Sequence, residues 1–203
     1  DAIQTCLEEH GFAVVKRLID EKFVCQMRQA VIDTCDPFGT LGVGETRVRH
    51  AFCDAAPQIL GLIDNRPWIA IQEQLLGTDV LTVHRCAAIL KNVGSRPVSW
   101  HTDWCGYKTG EPATSNDVLN RGDRPNGAWF YLEGTHPSRA GLAVIPGSHR
   151  IDWPGPDGFS FTEGRVSFYR TGTQATAYDG LDVPGAVALV TDPGDMILFG
   201  ART

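Results

Sequence analysis

From residue 129 onward the chain is cut into short apolar runs: Trp129-Phe130-Tyr131-Leu132, Gly141-Leu142-Ala143-Val144-Ile145, Val187 to Val190 and Met196 to Phe199. Turns bearing glycine or proline separate them, at Gly134 to Ala140, at Pro146-Gly147-Ser148-His149-Arg150 and at Thr191-Asp192-Pro193-Gly194-Asp195. Runs of four or five residues have the length of strands, and regular turn punctuation predicts antiparallel pairing of one strand with another. The piece from 151 to 164 reads as loop.

The first half supplies the helices. Gly11-Phe12-Ala13-Val14-Val15 is a β-branched run that predicts a strand. Asp20 follows as a candidate N-cap with Glu21 in the first turn, and Phe23, Val24, Met27, Ala30 and Val31 recur at helical spacing. Asp36-Pro37-Phe38-Gly39 breaks this helix, and Gly39 to Gly44 reads as a loop. A second helix is expected over Trp68 to Leu76, ended by Gly77 as a C-cap. Asp79 to Leu90 reads as one long strand with His84 inside it, and Lys91-Asn92-Val93-Gly94 turns the chain. The pattern predicts a mainly β protein, an antiparallel sandwich with flanking helices packed on one face.

At 203 residues the chain is long enough for one domain with a sizeable core. Hydrophobic residues make up 42% and charged residues 21%, the balance of an ordinary globular protein. A net charge of -6 argues against a nucleic-acid partner, and no apolar run approaches the roughly eighteen residues of a membrane span. The six cysteines, Cys6, Cys25, Cys35, Cys53, Cys86 and Cys105, follow no disulfide-framework or zinc spacing. Reduced thiols and a cytoplasmic location are expected.

Chemistry concentrates in Trp100-His101-Thr102-Asp103-Trp104. In an extended segment, side chains at i and i+2 leave the same face, so His101 and Asp103 converge while Thr102 points away. An imidazole and a carboxylate are two thirds of the facial triad that holds non-haem Fe(II) and leaves open positions. The competing reading is a strand histidine hydrogen-bonded to a neighbouring carboxylate. Upstream, Thr46-Arg47-Val48-Arg49-His50 gathers cationic side chains that suit either a solvated surface or an anionic co-substrate. Downstream, Thr109 to Asn126 is a polar insertion rich in Gly, Pro, Asn and Asp, and because it starts so soon after Asp103 it reads as a lid. His84 and His149 read as structural histidines, and Asp195 as a side chain that fixes its own turn by accepting backbone N–H bonds.

Four stretches in order carry a family resemblance: Glu9 to Val15, Trp100-His101-Thr102-Asp103, Gly141 to His149, and Pro193-Gly194-Asp195-Met196-Ile197-Leu198-Phe199. Together they resemble the phytanoyl-CoA dioxygenase family of Fe(II)- and 2-oxoglutarate-dependent oxygenases. The resemblance implies a double-stranded β-helix, a jelly roll of cupin type. It implies His101 and Asp103 as iron ligands, and Thr102, Trp129 and, more loosely, Arg47 as contacts of 2-oxoglutarate. The bland counterparts of those three are a strand hydroxyl, a core aromatic and a surface cation. In related halogenases a small residue replaces the ligand carboxylate, so an intact Asp103 implies hydroxylation.

In the family the strand resembling Met196 to Phe199 is followed by a distal histidine and later by an arginine that grips 2-oxoglutarate. Neither appears before Thr203, so the expectation is a single oxygenase domain over 1–203 that is incomplete at both termini. The implied activity is O₂-dependent hydroxylation of a C–H bond in a small molecule, with 2-oxoglutarate decarboxylated to succinate. Two alternatives stay open: a metal enzyme of the same fold that does not use 2-oxoglutarate, and a non-catalytic binding module.

Overall fold

The computed structural model describes residues 2–81, 86–103, 125–139, 141–150 and 152–200. His84 and nearly all of the 109–126 insertion lie outside them. The chain divides into two compact units, one formed by Asp1–Lys16 with Pro97–Thr203 and the other by Arg17–Arg96. Among the described residues no helix is long and apolar enough to cross a membrane.

The larger unit is organised around β9 (Met196–Gly200), which pairs antiparallel with β1 (Phe12–Val15) on one side and with β4 (Pro125–Trp129) on the other. Met196, Ile197, Leu198 and Phe199 are all buried, so this strand has no solvent face and every side chain in it is apolar. Ile197 and Phe199 share one face and pack with Val144, Leu189, Phe12, Val14, Trp129, Tyr131 and Leu142. Two further antiparallel pairs complete the unit, β5 (Ala143–Val144) with β8 (Val187–Ala188), and β6 (Phe159–Phe161) with β7 (Phe168–Arg170). A second cluster packs Ile145, Phe168 and Val183 against Trp100, Trp153, Phe159, Phe161 and Tyr178. Its rings meet mostly edge to face, as between Phe159 and Phe168 at 5.1 Å and 76°.

Entry into β9 is fixed by the Asp192-Pro193-Gly194-Asp195 turn. Asp195 N donates to Asp192 O at 3.1 Å, and Gly194 takes φ +94, the left-handed position that this turn type requires at its third residue. As expected, Asp195 secures the turn: its carboxylate accepts from Asp192 N at 2.8 Å. The same buried carboxylate accepts a short hydrogen bond from Lys16 Nζ.

One helix of this unit has no sequence signal. α1 (Ala2–His10) buries only Leu7, and its last carbonyls are taken by remote donors. Gly147 N donates to His10 O at 2.9 Å, Arg150 to Glu9 O at 3.3 Å, and His149 Nε2 to Glu8 O at 3.1 Å. The Pro146 to Arg150 turn therefore caps a helix end that would otherwise leave these acceptors open. His149 has the structural role expected of it.

The smaller unit follows its sequence more closely. Asp20 caps α2 (Glu21–Cys35), its carboxylate accepting from Phe23 N at 2.7 Å, and Val24, Met27 and Ala30 form the buried stripe. Asn65 caps α4 (Arg66–Leu76), which ends at Gly77 with φ +66. Between them, β2 (Thr46–His50) pairs antiparallel with β3 (Ala87–Lys91), and the short α3 (Phe52–Ala55) follows β2. Their core holds Ala30, Cys35, Phe52, Ala56 and Ala88.

Several boundaries differ from expectation. Residues 79–81 are not strand, and β3 starts at Ala87. Trp129 ends a strand rather than beginning one, because β4 pairs with β9 across 125–129. The 151–164 piece contains β6, whose phenylalanines enter the aromatic cluster. Thr46 to His50 is a strand despite its charges, since in a two-stranded ribbon most of its side chains face water.

The Lys16–Asp195 pair yields a stability prediction. Asp195→Ala is expected to cost on the order of 2 kcal/mol in urea unfolding, because an ammonium and a backbone N–H lose their acceptor. Hydrogen bonding to Asp195, with further bonding and charge attraction from both aspartates, raises Lys16 above the ordinary 10.5 against the opposing effect of burial. A raised folded-state value means that the contribution is complete below pH 10.5 and fades as pH climbs through the higher value. The urea midpoint of the wild type should therefore fall towards that of Lys16→Met in this alkaline window. A gap between the two that stays constant would show that the pair adds nothing.

Candidate metal centre

The clamp segment is not part of a regular ladder. His101 forms an isolated antiparallel bridge with Ser167, and Thr102 N donates to Val166 O at 2.9 Å. Trp100 N donates to Tyr178 O at 2.8 Å, while its indole Nε1 donates to Gly180 O at 2.8 Å. Trp100 is thereby drawn into the aromatic cluster, stacked on Phe168 at 5.9 Å. His101, the next residue of an extended segment, turns the other way and is half exposed.

The expected convergence of His101 and Asp103 is present. His101 Nε2 lies 3.4 Å from Asp103 Oδ1. The other ring nitrogen, Nδ1, is 2.7 Å from the Ser99 carbonyl, which can only accept, so Nδ1 carries a hydrogen and Nε2, facing the carboxylate, is the nitrogen that takes a second proton or a metal ion. A ligating histidine is commonly oriented this way. Adjacent donors on an octahedral ion with bonds of about 2.1 Å stand about 3 Å apart, so the pair fits a shared divalent metal after a shift of a few tenths of an ångström. Hydrogen bonding to Asp103 raises the His101 pKa, against burial and aided by the Ser99 carbonyl, so any metal taken at Nε2 would have to displace a proton favoured there. Among the described residues no third His, Cys, Asp or Glu joins the two.

The other expected site residues have neighbours of their own. Thr102 is half-buried between His101 and Asp103, anchored through its backbone to Val166. Trp129 lies in the β9 core cluster, stacked on Tyr131 at 6.3 Å and Phe199 at 6.0 Å. Arg47 belongs to the smaller unit, where its guanidinium donates to Asp36 Oδ1 at 2.6 Å, to Thr40 Oγ1 at 2.9 Å and to Cys35 O at 3.3 Å. Burial pushes Asp36 up, but the N–H groups of Leu41 and Thr40 together with Arg47 outweigh it and hold the carboxyl below its ordinary value. Sequence reading missed Ser167, whose buried hydroxyl donates to Trp100 O. No local pattern marks a serine so far along the chain from its acceptor.

The family model for phytanoyl-CoA dioxygenase (PhyH) matches residues 7–203, and the chain belongs to this family of Fe(II)- and 2-oxoglutarate-dependent oxygenases. No curated protein matches it in sequence. Among solved structures it is similar to HygX from Streptomyces hygroscopicus with nickel, 2-oxoglutarate and hygromycin B bound, at 15% identity and a TM-score of 0.65 over 99% of this chain and 77% of that one. It is also similar to the epimerase SnoN in complex with Fe3+, alpha ketoglutarate and nogalamycin RO, at 17% identity and a TM-score of 0.61 over 99% of this chain and 73% of that one. EvdO2 from Micromonospora carbonacea var. aurantiaca, complexed with 2-oxoglutarate, gives 17% identity and a TM-score of 0.57 over 99% and 80%. At these identities the likeness is one of fold.

The hydrogen bonds of Arg47 generate a prediction. Arg47→Ala should lower the melting temperature by several degrees, since Asp36 and Thr40 lose a shared donor, while the KM for 2-oxoglutarate stays within about twofold. A large rise in that KM at unchanged stability would instead give Arg47 the co-substrate contact that the family resemblance implies.

Proposed function

We propose that the protein is an Fe(II)- and 2-oxoglutarate-dependent dioxygenase that hydroxylates a C–H bond of a small-molecule substrate, with His101 and Asp103 as two of its iron ligands. The reading rests on one observation above all: an imidazole Nε2 and a carboxylate oxygen 3.4 Å apart, with the imidazole oriented by a backbone carbonyl, in a chain of this family. The larger fold we propose is the double-stranded β-helix of a single oxygenase domain, and a cytoplasmic location accompanies it. The ligands in the HygX and SnoN structures, hygromycin B and nogalamycin RO, support a small natural product as the substrate class.

Bound iron would supply oxygen activation coupled to decarboxylation of 2-oxoglutarate. The chain's own residues do the rest. Ser99 O holds the His101 ring in the ligating tautomer, and Asp103 balances part of the metal charge. The Thr102 N–H bond to Val166 keeps the two ligands in one orientation. Thr102, Trp129 and, more loosely, Arg47 are the co-substrate contacts implied by the resemblance; Thr102 adjoins both ligands in sequence, whereas the bonds of Arg47 to Asp36 and Thr40 support a bracing role.

A second reaction type has a specific motive, because SnoN is an epimerase and SnoK, also similar in structure, is a carbocyclase. Product mass separates them: hydroxylation adds one oxygen atom, epimerisation changes nothing and ring closure removes two hydrogens. In the full-length protein, His101→Ala and Asp103→Ala should each lower 2-oxoglutarate-dependent succinate formation by at least about a hundredfold, with the melting temperature changed by only a few degrees. Wild-type succinate output from either variant would remove the clamp assignment. Succinate formation without incorporation of oxygen from O₂ into the product would favour the epimerase or carbocyclase type.

A further inference from the structure

We infer that Ser167, at the base of the β6–β7 connection, is a positioning residue for the metal clamp. This inference rests on the clamp assignment above. The segment carrying His101 and Asp103 lacks a full ladder, and its placement falls to a handful of single bonds. Ser167 contributes the one that reaches the peptide joining Trp100 to His101: its hydroxyl donates a short hydrogen bond to the Trp100 carbonyl. A longer contact, 3.5 Å to Phe168 O, is the hydroxyl's other acceptor. Because Ser167 is buried, water cannot take the place of this donor, and losing the hydroxyl leaves the carbonyl short of a partner.

Ser167 is itself held with little freedom. Thr162 N and Thr162 Oγ1 donate to Ser167 O at 2.9 and 3.1 Å, and Ser167 N donates back to Thr162 Oγ1 at 3.0 Å. Between these two residues Arg165 adopts φ +57, an unfavourable conformation for a residue with a Cβ. Its guanidinium compensates by donating to Trp153 O at 2.6 Å and stacking 3.9 Å above the Phe161 ring. The connection is thus an internally braced element whose outward bonds run from Ser167 Oγ and Val166 O to the peptides on either side of His101. A strained residue held by a dense network is the usual mark of geometry kept for function.

The test is metal affinity in the full-length protein, measured by anaerobic titration with Fe(II) in the presence of 2-oxoglutarate, beside the melting temperature of the metal-free protein. Ser167→Ala should weaken Fe(II) binding roughly 10- to 100-fold, the range for residues that orient a ligand, while Ser167→Thr, which keeps the hydroxyl, restores it. Hydrogen exchange of the Thr102 amide in the metal-free protein should speed up in Ser167→Ala and recover in Ser167→Thr. This readout needs neither metal nor turnover, and Ser167→Cys provides it where the alanine variant fails to fold. Fe(II) affinity and Thr102 exchange that match the wild type in Ser167→Ala, with His101→Ala abolishing binding, would overturn the positioning role and leave the clamp intact. Full Fe(II) affinity in His101→Ala would overturn the clamp itself.

Discussion

The larger unit depends on burying β9 on both faces. A strand in that position can offer water neither its side chains nor its backbone, so every N–H and C=O must be met by neighbours on either side, and β1 and β4 supply them. Register then becomes strict, because a slip of one residue would exchange the two faces and move Ile197 and Phe199 out of their cluster. The chain secures the register at the strand's entry. Val15 pairs with Met196, so the next position of the same ladder sets Lys16 opposite Asp195, and the half-exposed ammonium reaches the buried carboxylate. One carboxylate thus closes the turn and pins the strand.

What could be read in advance divides along a physical line. Where a segment's structure is decided by its own residues, the sequence shows it: Asp20 caps its helix, Gly77 ends another in the left-handed region, and Asp195 accepts the N–H three positions back. Asn65, which caps that second helix, lies just outside the stretch expected to be helical. Where remote partners decide, the pattern is silent. α1 buries one residue and owes its last turn to donors around position 148, far along the chain. β2 carries no apolar alternation because its ribbon is solvated, and β6 lies among glycines and prolines that read as loop until its phenylalanines meet Phe168 and Tyr178.

The candidate site divides the same way. Side chains at i and i+2 sharing one face follow from strand geometry alone, and the structure brings those of His101 and Asp103 to 3.4 Å. The tautomer is set locally too, by a carbonyl two residues back. For Trp129 and Arg47 the letters alone do not separate a core aromatic and a loop-bracing arginine from co-substrate contacts. Only the stacking on Phe199 and the bond to Asp36 reveal their present neighbours.

Mutual attraction is too weak to hold such a clamp ready. The His101 and Asp103 side chains are both about half exposed, and an ion pair in that setting contributes little after solvent screening. The order must come from the backbone beneath them. Trp100 provides it by turning its indole the opposite way into the aromatic cluster, so apolar burial on one side of the segment fixes the direction of the imidazole on the other. On the proposed reading, a polar pair open to solvent, with its peptides anchored to a buried apolar layer, would take up a metal and a chelating co-substrate without first giving up bonds that the fold requires.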